Sequence, residues 1–231
     1  MWRGGRAASR ALAAARRPRG PARPRPPPPA AGPDPPRDRA VPNGGWSAAM
    51  RRHYRRLLDM AAAGAWARLP SYPRARQHLP GAEAPGPAGD TRLFLRAIEG
   101  DGAGFEYAMF LNAAERRLLC LFQPGPYLEG HPGLTHGGAI AAIIDGALGT
   151  CALAVAGKVM TANLSIDYLA PVPLGAVLLV DGRAERLEGR KVFLSCHVRS
   201  ADGDALHARA TGLFIRLDPT KHRAQEEGGG R

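Results

Sequence analysis

Lysine is nearly missing from this chain: of 32 Lys and Arg side chains, only Lys158, Lys191 and Lys221 are lysine. Arginine, alanine, glycine and proline are abundant instead, the usage of a GC-biased gene, so an isolated arginine carries little functional weight. Cysteine is scarce too. Cys120, Cys151 and Cys196 are odd in number, widely spaced and set in apolar contexts, which argues against a disulfide framework or a zinc site and for buried thiols in a reducing compartment. No G-x-S-x-G is present among the six serines, so a serine-hydrolase elbow is excluded. The seven histidines show no metal-ligand spacing with Cys or acid, and no metal is expected.

Acid is absent before Asp34. The first 40 residues hold ten Arg and two Asp, a net +8, so the rest of the chain carries only +4 of the total +12. The folded part is therefore close to neutral, and no nucleic-acid partner is expected despite a pI near 10.7. Residues 1–40 predict a transit peptide with a Pro/Arg-rich linker. The start is Arg-rich, acid-free and weakly amphipathic, and its longest apolar run, ALAAA, is too short for a secretory signal. A mitochondrial location follows, in the matrix or at the inner membrane, or the cytosol for chains not imported.

Further along, Trp46, Met50, Tyr54, Leu57 and Leu58 recur at helical spacing over 46–64, with Ser47 as cap and Gly64 as stop. Pro and Gly then mark a loop over 70–90, closing an N-terminal extension of residues 41–90. Short β-rich runs follow at 91–99, 105–111 and 117–123, and later at 159–169, 176–188, 191–200 and 205–217. Within 159–169 the alternation places Ala162, Leu164, Ile166 and Tyr168 on one face and Thr161, Asn163, Ser165 and Asp167 on the other. The GDGAG at 100–104 lies between strands with no helix following, so it is a turn. Residues 218–231, ending EEGGGR, predict a disordered tail.

Only one long apolar run exists, GAIAAIIDGALGTCALAVAG at 138–157. It is long enough to span a bilayer. A mid-membrane Asp145 would cost roughly 2.5–3.5 kcal/mol, and glycine and alanine crowd out leucine, so no transmembrane span is expected. A helix apolar on all sides is instead one wrapped by its own core. Strands on both sides of such a helix predict an α+β fold, an antiparallel sheet wrapped around one long central helix, over residues 91–217.

THGGAIAAIID at 135–145 carries the chemistry. A helix N-terminus offers unpaired backbone N–H groups and a partial positive charge, and glycines let a carbonyl oxygen come close. His136, Gly137 and Gly138 thus form a candidate oxyanion site. Asp145 lies two turns further in, roughly 10–12 Å along the axis. Two antiparallel helices side by side would bring each Asp145 to the other's glycine end, so a dimer is the natural catalytic unit. The plainer alternative is a helix carboxylate capping a neighbouring loop.

HGGAIAAIID, TANLSIDYLAPVPLG and LEGRKVFLSC, with VPNGGW, WARLPSY, GFEY, CLFQPGPYLEG and ATGLFIRL, resemble the hotdog-fold acyl-CoA thioesterases over roughly residues 41–217. The resemblance implies hydrolysis of a medium- to long-chain fatty acyl-CoA to free acid and coenzyme A, by a homodimer or higher oligomer, without a cofactor. It implies that the N–H of Gly137 or Gly138 polarises the thioester carbonyl, that Asp145 is general base or nucleophile, that Thr161 aligns the water and that His136 shapes the loop. Arg190 and Lys191 match a phosphate-contacting position for coenzyme A, and Asp167, Leu169 and Ser195 fall on its path. The chain departs from its relatives at Asp167-Tyr168-Leu169, where Asn-Tyr-Lys or Asn-Tyr-Arg is expected: a cation is lost and an anion gained. The resemblance also carries an alternative of another class, an interaction protein that modulates an Akt-type serine/threonine kinase.

Overall fold

Short alternating apolar runs set between glycine-containing turns build the strands of the second half of the chain. In the computed structural model, which describes residues 37–72, 93–203 and 205–217, the strands are β1 (Ala67–Leu69), β2 (Phe105–Asn112), β3 (Arg117–Pro124), β4 (Val159–Tyr168), β5 (Leu178–Glu188), β6 (Lys191–Ser200) and β7 (Leu206–Arg216). They pair antiparallel in one seven-stranded sheet of order β1-β2-β3-β5-β6-β7-β4. Among the described residues two α-helices accompany it, α1 (Ala48–Ala62) and α2 (Gly137–Ala156). The expected hotdog arrangement is present, with its helical N-terminal extension.

The inner face of the sheet wraps α2. Ile140, Ile143, Ile144, Leu148 and Cys151 of the helix are buried against Val192, Leu194, Val198 and Phe214 of the strands. The helix has the length and hydropathy of a membrane span, but this side of it is the core. The other side is less covered than a fully wrapped helix would be: Ala141, Ala142, Asp145 and Gly149 are only half-buried, and Gly138 and Ala154 are exposed. The expectation of complete wrapping therefore fails for a single chain, because the sheet curves around only one side.

The outer face is partly covered by α1, whose buried Met50, Tyr54 and Leu57, with Trp46 just before the helix, pack on Ala108, Phe110, Leu119 and Leu121. Ser47 caps it by accepting from the Met50 N–H, a contribution of about 1 kcal/mol. Trp46 Nε1 donates to the buried Glu106 at 2.8 Å, which fixes the helix entry to β2. The basic helix thus docks on its own domain. That packing already includes Asp38, paired with Arg68 at 2.8 Å, and the fully buried Ala40.

Three further expectations need correction. Residues 93–97 of the predicted 91–99 strand form a short 3-10 turn, Phe94–Arg96. A buried arginine draws the backbone there: Arg96 donates to Ser71 Oγ, the Phe105 carbonyl and the Tyr107 carbonyl at 2.9, 2.9 and 3.0 Å, and burial pushes its pKa down. The adjacent Leu95 packs onto α2 so closely that a Cβ on Gly146 would lie 2.5 Å from it. The edge strand is instead β1, three residues that precede the predicted loop. Third, β4 does not alternate throughout, for a reason that belongs to the site. Residues 1–36 of the predicted 1–40 transit peptide and linker, most of the 70–90 loop and the 218–231 tail lie outside the described residues.

Candidate active site at the N-terminus of α2

The last residue before α2 decides which backbone donors remain free. His136 is its N-cap, and Nδ1 accepts from the Gly138 N–H at 2.8 Å. That nitrogen therefore carries a lone pair, not a proton. A side chain at 138 would displace the imidazole, since its Cβ would lie 2.9 Å from His136 Nδ1. The His136 carbonyl accepts from both Ala139 and Ile140, at 2.9 and 3.2 Å, which polarises the amide whose N–H belongs to Gly137. Gly137 N–H itself has no acceptor among the described residues. Of the two glycines, one donor is taken and the other is open.

Gly137 faces a cleft of about 740 Å³ lined by His136, Gly137, Ile140, Tyr168, Leu169 and Val172, among others. Tyr168 closes one side, its hydroxyl donating to the Gly137 carbonyl at 3.1 Å. A methyl group at 137 would still find its nearest neighbour, the Tyr168 ring, 3.7 Å away. Sequence reasoning placed Tyr168 in an apolar stripe and missed this contact; the hydroxyl, which seeks a partner when half-buried, was the available signal.

Asp145 stands about 12 Å further along α2. Its Oδ1 accepts from Thr161 Oγ1 at 2.8 Å, so the two residues singled out from sequence do meet. They meet because of a bulge. Thr161 pairs with Phe214 and Asn163 with Leu213, leaving Ala162 as an extra residue. Uninterrupted alternation would put Thr161 on the face opposite Leu164, Ile166 and Tyr168; the bulge returns it to the face that holds them against the helix. β4 is the sheet's edge; Met160 and Tyr168 on it and Leu169 just after it are 58, 52 and 49% exposed.

The residues expected to meet coenzyme A are scattered within one chain. Arg190 in the β5–β6 turn and Lys191 at the start of β6 lie side by side, and Arg190 Nε donates to the Arg216 carbonyl at 3.1 Å. Arg216 pairs with Val159, whereas Tyr168 pairs with Ala208, so this turn and the Gly137 cleft sit at opposite ends of β4, roughly 30 Å apart. Ser195, in the middle of β6, donates to Glu185 at 2.5 Å. Asp167 is paired with Arg209 Nε at 2.8 Å, a residue that sequence reasoning did not single out. Leu169 borders the cleft. Among the described residues no group of three or more His, Cys, Asp or Glu is placed to hold a metal.

Residues 132–206 match the Thioesterase superfamily family model. Across most of its length the chain is similar to acyl-coenzyme A thioesterase THEM4 of Xenopus laevis, 50% identical over 184 residues that cover 80% of this chain and 82% of the relative. The THEM4 of Bos taurus is 46% identical, over 80% of this chain and 81% of its own. Acyl-coenzyme A thioesterase THEM5 of Homo sapiens is 33% identical, over 78 and 76%.

Proposed function

Because the chain belongs to the acyl-coenzyme A thioesterase family of THEM4 and THEM5, we propose that it hydrolyses fatty acyl-CoA at the α2 N-terminus, with a medium to long acyl chain. The observation that carries this reading is the Thr161–Asp145 hydrogen bond at 2.8 Å: a half-buried carboxylate on an apolar helix, held by a hydroxyl, is poised to activate water. Gly137 is the donor that takes the thioester oxygen, since its N–H is open and Gly138 is occupied by His136. Negative charge developing on that oxygen meets the positive end of a 20-residue helix. Asp145 then serves as general base on water or as the nucleophile itself.

A dimer completes the site. One chain holds Asp145 about 12 Å from its own Gly137, too far for one bond. Two β4 edges pairing antiparallel about Leu164 and Ser165 would set Thr161, and with it Asp145, opposite the partner subunit's Tyr168 and Gly137. The same two-fold carries Arg190 and Lys191 toward the partner's Leu169 end, where a coenzyme A phosphate would lie. The edge strand and the half-covered side of α2 both support this assembly. The kinase-modulating alternative has no use for a carboxylate–hydroxyl pair at 145 and 161, which favours hydrolysis.

Release of free coenzyme A thiol from acyl-CoAs of graded length, measured on the purified chain, tests the reading. Turnover that rises from short to medium and long acyl chains is expected; no thiol release from any of them would overturn it. We also propose mitochondrial delivery by the N-terminal segment. A reporter fused to residues 1–40 should enter mitochondria, with trimming at or before Arg37 because Asp38 and Ala40 are already packed; a diffuse cytosolic reporter would refute it.

A further inference from the structure

A ligand rich in phosphate is repelled by a lone carboxylate on its path, and Asp167 is such a carboxylate, 58% exposed at its side chain. It does not stand alone. Arg209, its cross-strand partner on β7, donates from Nε to Asp167 Oδ2 at 2.8 Å. We propose that Arg209 is a phosphate-binding residue for the nucleotide end of coenzyme A, oriented by Asp167 and replacing the cation that position 169 lacks. This rests on the acyl-CoA reading above.

Strand geometry supports the placement. Side chains alternate along a strand, so Asp167 lies on the outer side of the edge strand while Tyr168 turns inward to Gly137, and Leu169 follows directly, its N–H still bonded to the His207 carbonyl of β7. Arg209 sits beside Asp167 and diagonal to residue 169, roughly 7–8 Å away, within the reach of an arginine. The cleft that starts at Gly137 runs past Tyr168 to Leu169, so a substrate whose thioester lies at Gly137 and whose tail leaves around that edge meets this corner next. Only Nε of Arg209 is engaged among the described residues. Its two terminal nitrogens have no partner among the described residues and are held as a planar fork suited to a phosphate.

Beyond the Asp167–Arg209 pair, the next strand adds a further cation to this face. His197 is the cross-strand neighbour of Arg209 on the other side, and Arg199 lies two residues along that strand. Of the acids on β5, Asp181 is the cross-strand partner of His197 and is ion-paired with Arg117 at 2.6 Å, while Glu185, further along the strand, accepts from Ser195. An aspartate here is thus compatible with coenzyme A binding because it serves as the clamp for a cation one strand further in.

The test compares a fatty acyl-CoA with the matching S-acyl-pantetheine, which lacks the phosphates. Arg209→Gln should raise the ratio of KM for acyl-CoA to KM for acyl-pantetheine about tenfold, with kcat on acyl-CoA little altered. Adding Leu169→Lys to that variant should bring the ratio back toward the wild-type value, because it returns a cation to the same corner. A ratio unmoved by Arg209→Gln overturns the proposal. So does a ratio that rises but is not restored by Leu169→Lys, since the loss would then lie in sheet structure and not in charge. Wild-type protein that cleaves neither thioester would remove the thioesterase reading itself, a distinct result from cleavage of both with an indifferent Arg209.

Discussion

Asp145 and Thr161 are sixteen residues apart and touch through one hydrogen bond, so each can be removed without disturbing the other's backbone. Asp145→Asn keeps the size and most of the hydrogen bonding but removes the base. Its kcat should fall about 10²-fold or more while the midpoint of urea unfolding moves little. Thr161→Val keeps the shape and loses the hydroxyl, and about a tenfold loss in kcat is expected at nearly unchanged KM. Full activity in both variants would make the pair a structural cap. The cysteines behave oppositely, as inert groups. Burial pushes the Cys151 thiol up to about 11 and the Cys196 thiol up to about 12, and raises Cys120 further still. At pH 8 all three stay protonated, well below those values, so iodoacetamide should label the native protein only after denaturant is added. Rapid labelling of the native fold would show that one of these thiols is open to solvent.

At the scale of elements, β4 is the strand on which the site turns. Its bulge at Ala162 separates a stretch that presents Thr161 to α2 from one that presents Leu164, Ile166 and Tyr168. Deleting Ala162 should leave the strand paired with β7 but turn Thr161 away from the helix. We expect kcat to fall to the level of Thr161→Val with the far-ultraviolet circular dichroism unchanged; a deletion variant as active as wild type would show that the hydroxyl acts from either face. The bulge also explains a limit of sequence reading. Thr-Ala-Asn-Leu alternates like any other strand, and nothing in those residues marks the extra one. By contrast Ser47 and Gly64 announced the bounds of α1 because cap and stop chemistry is local.

The whole molecule poses the question of where one site ends and the next subunit begins. If Asp145 serves the glycines of a partner, two inactive variants should complement each other. Gly138→Val forces a side chain against His136, whose Nδ1 would be 2.9 Å from the new Cβ, and so distorts the donor end. Mixed under subunit exchange, Gly138→Val and Asp145→Asn chains give about half mixed dimers, each with one intact site, and roughly a quarter of wild-type activity should return. No recovery despite demonstrated exchange would place both halves of the site in one subunit.

What this sequence determined by itself was what depends on neighbours along the chain. The caps of α1, the apolar run of α2, the six long strands and the His-Gly-Gly donor end all follow from periodicity, glycine placement and backbone hydrogen-bonding needs, and the one carboxylate in an apolar helix marked itself by its cost of burial. Tertiary structure decided the rest, because those outcomes turn on which groups meet across the sheet. It made a strand of Ala67–Leu69, which only gains meaning beside β2, and a turn of Phe94–Arg96, where a buried guanidinium claims the carbonyls of Phe105 and Tyr107. It chose between two adjacent glycines by giving one N–H to His136, and it paired Asp167 with an arginine forty-two residues away. A charge or a donor is written in the sequence; whether it is free or occupied depends on the partner that folding brings within about 3 Å.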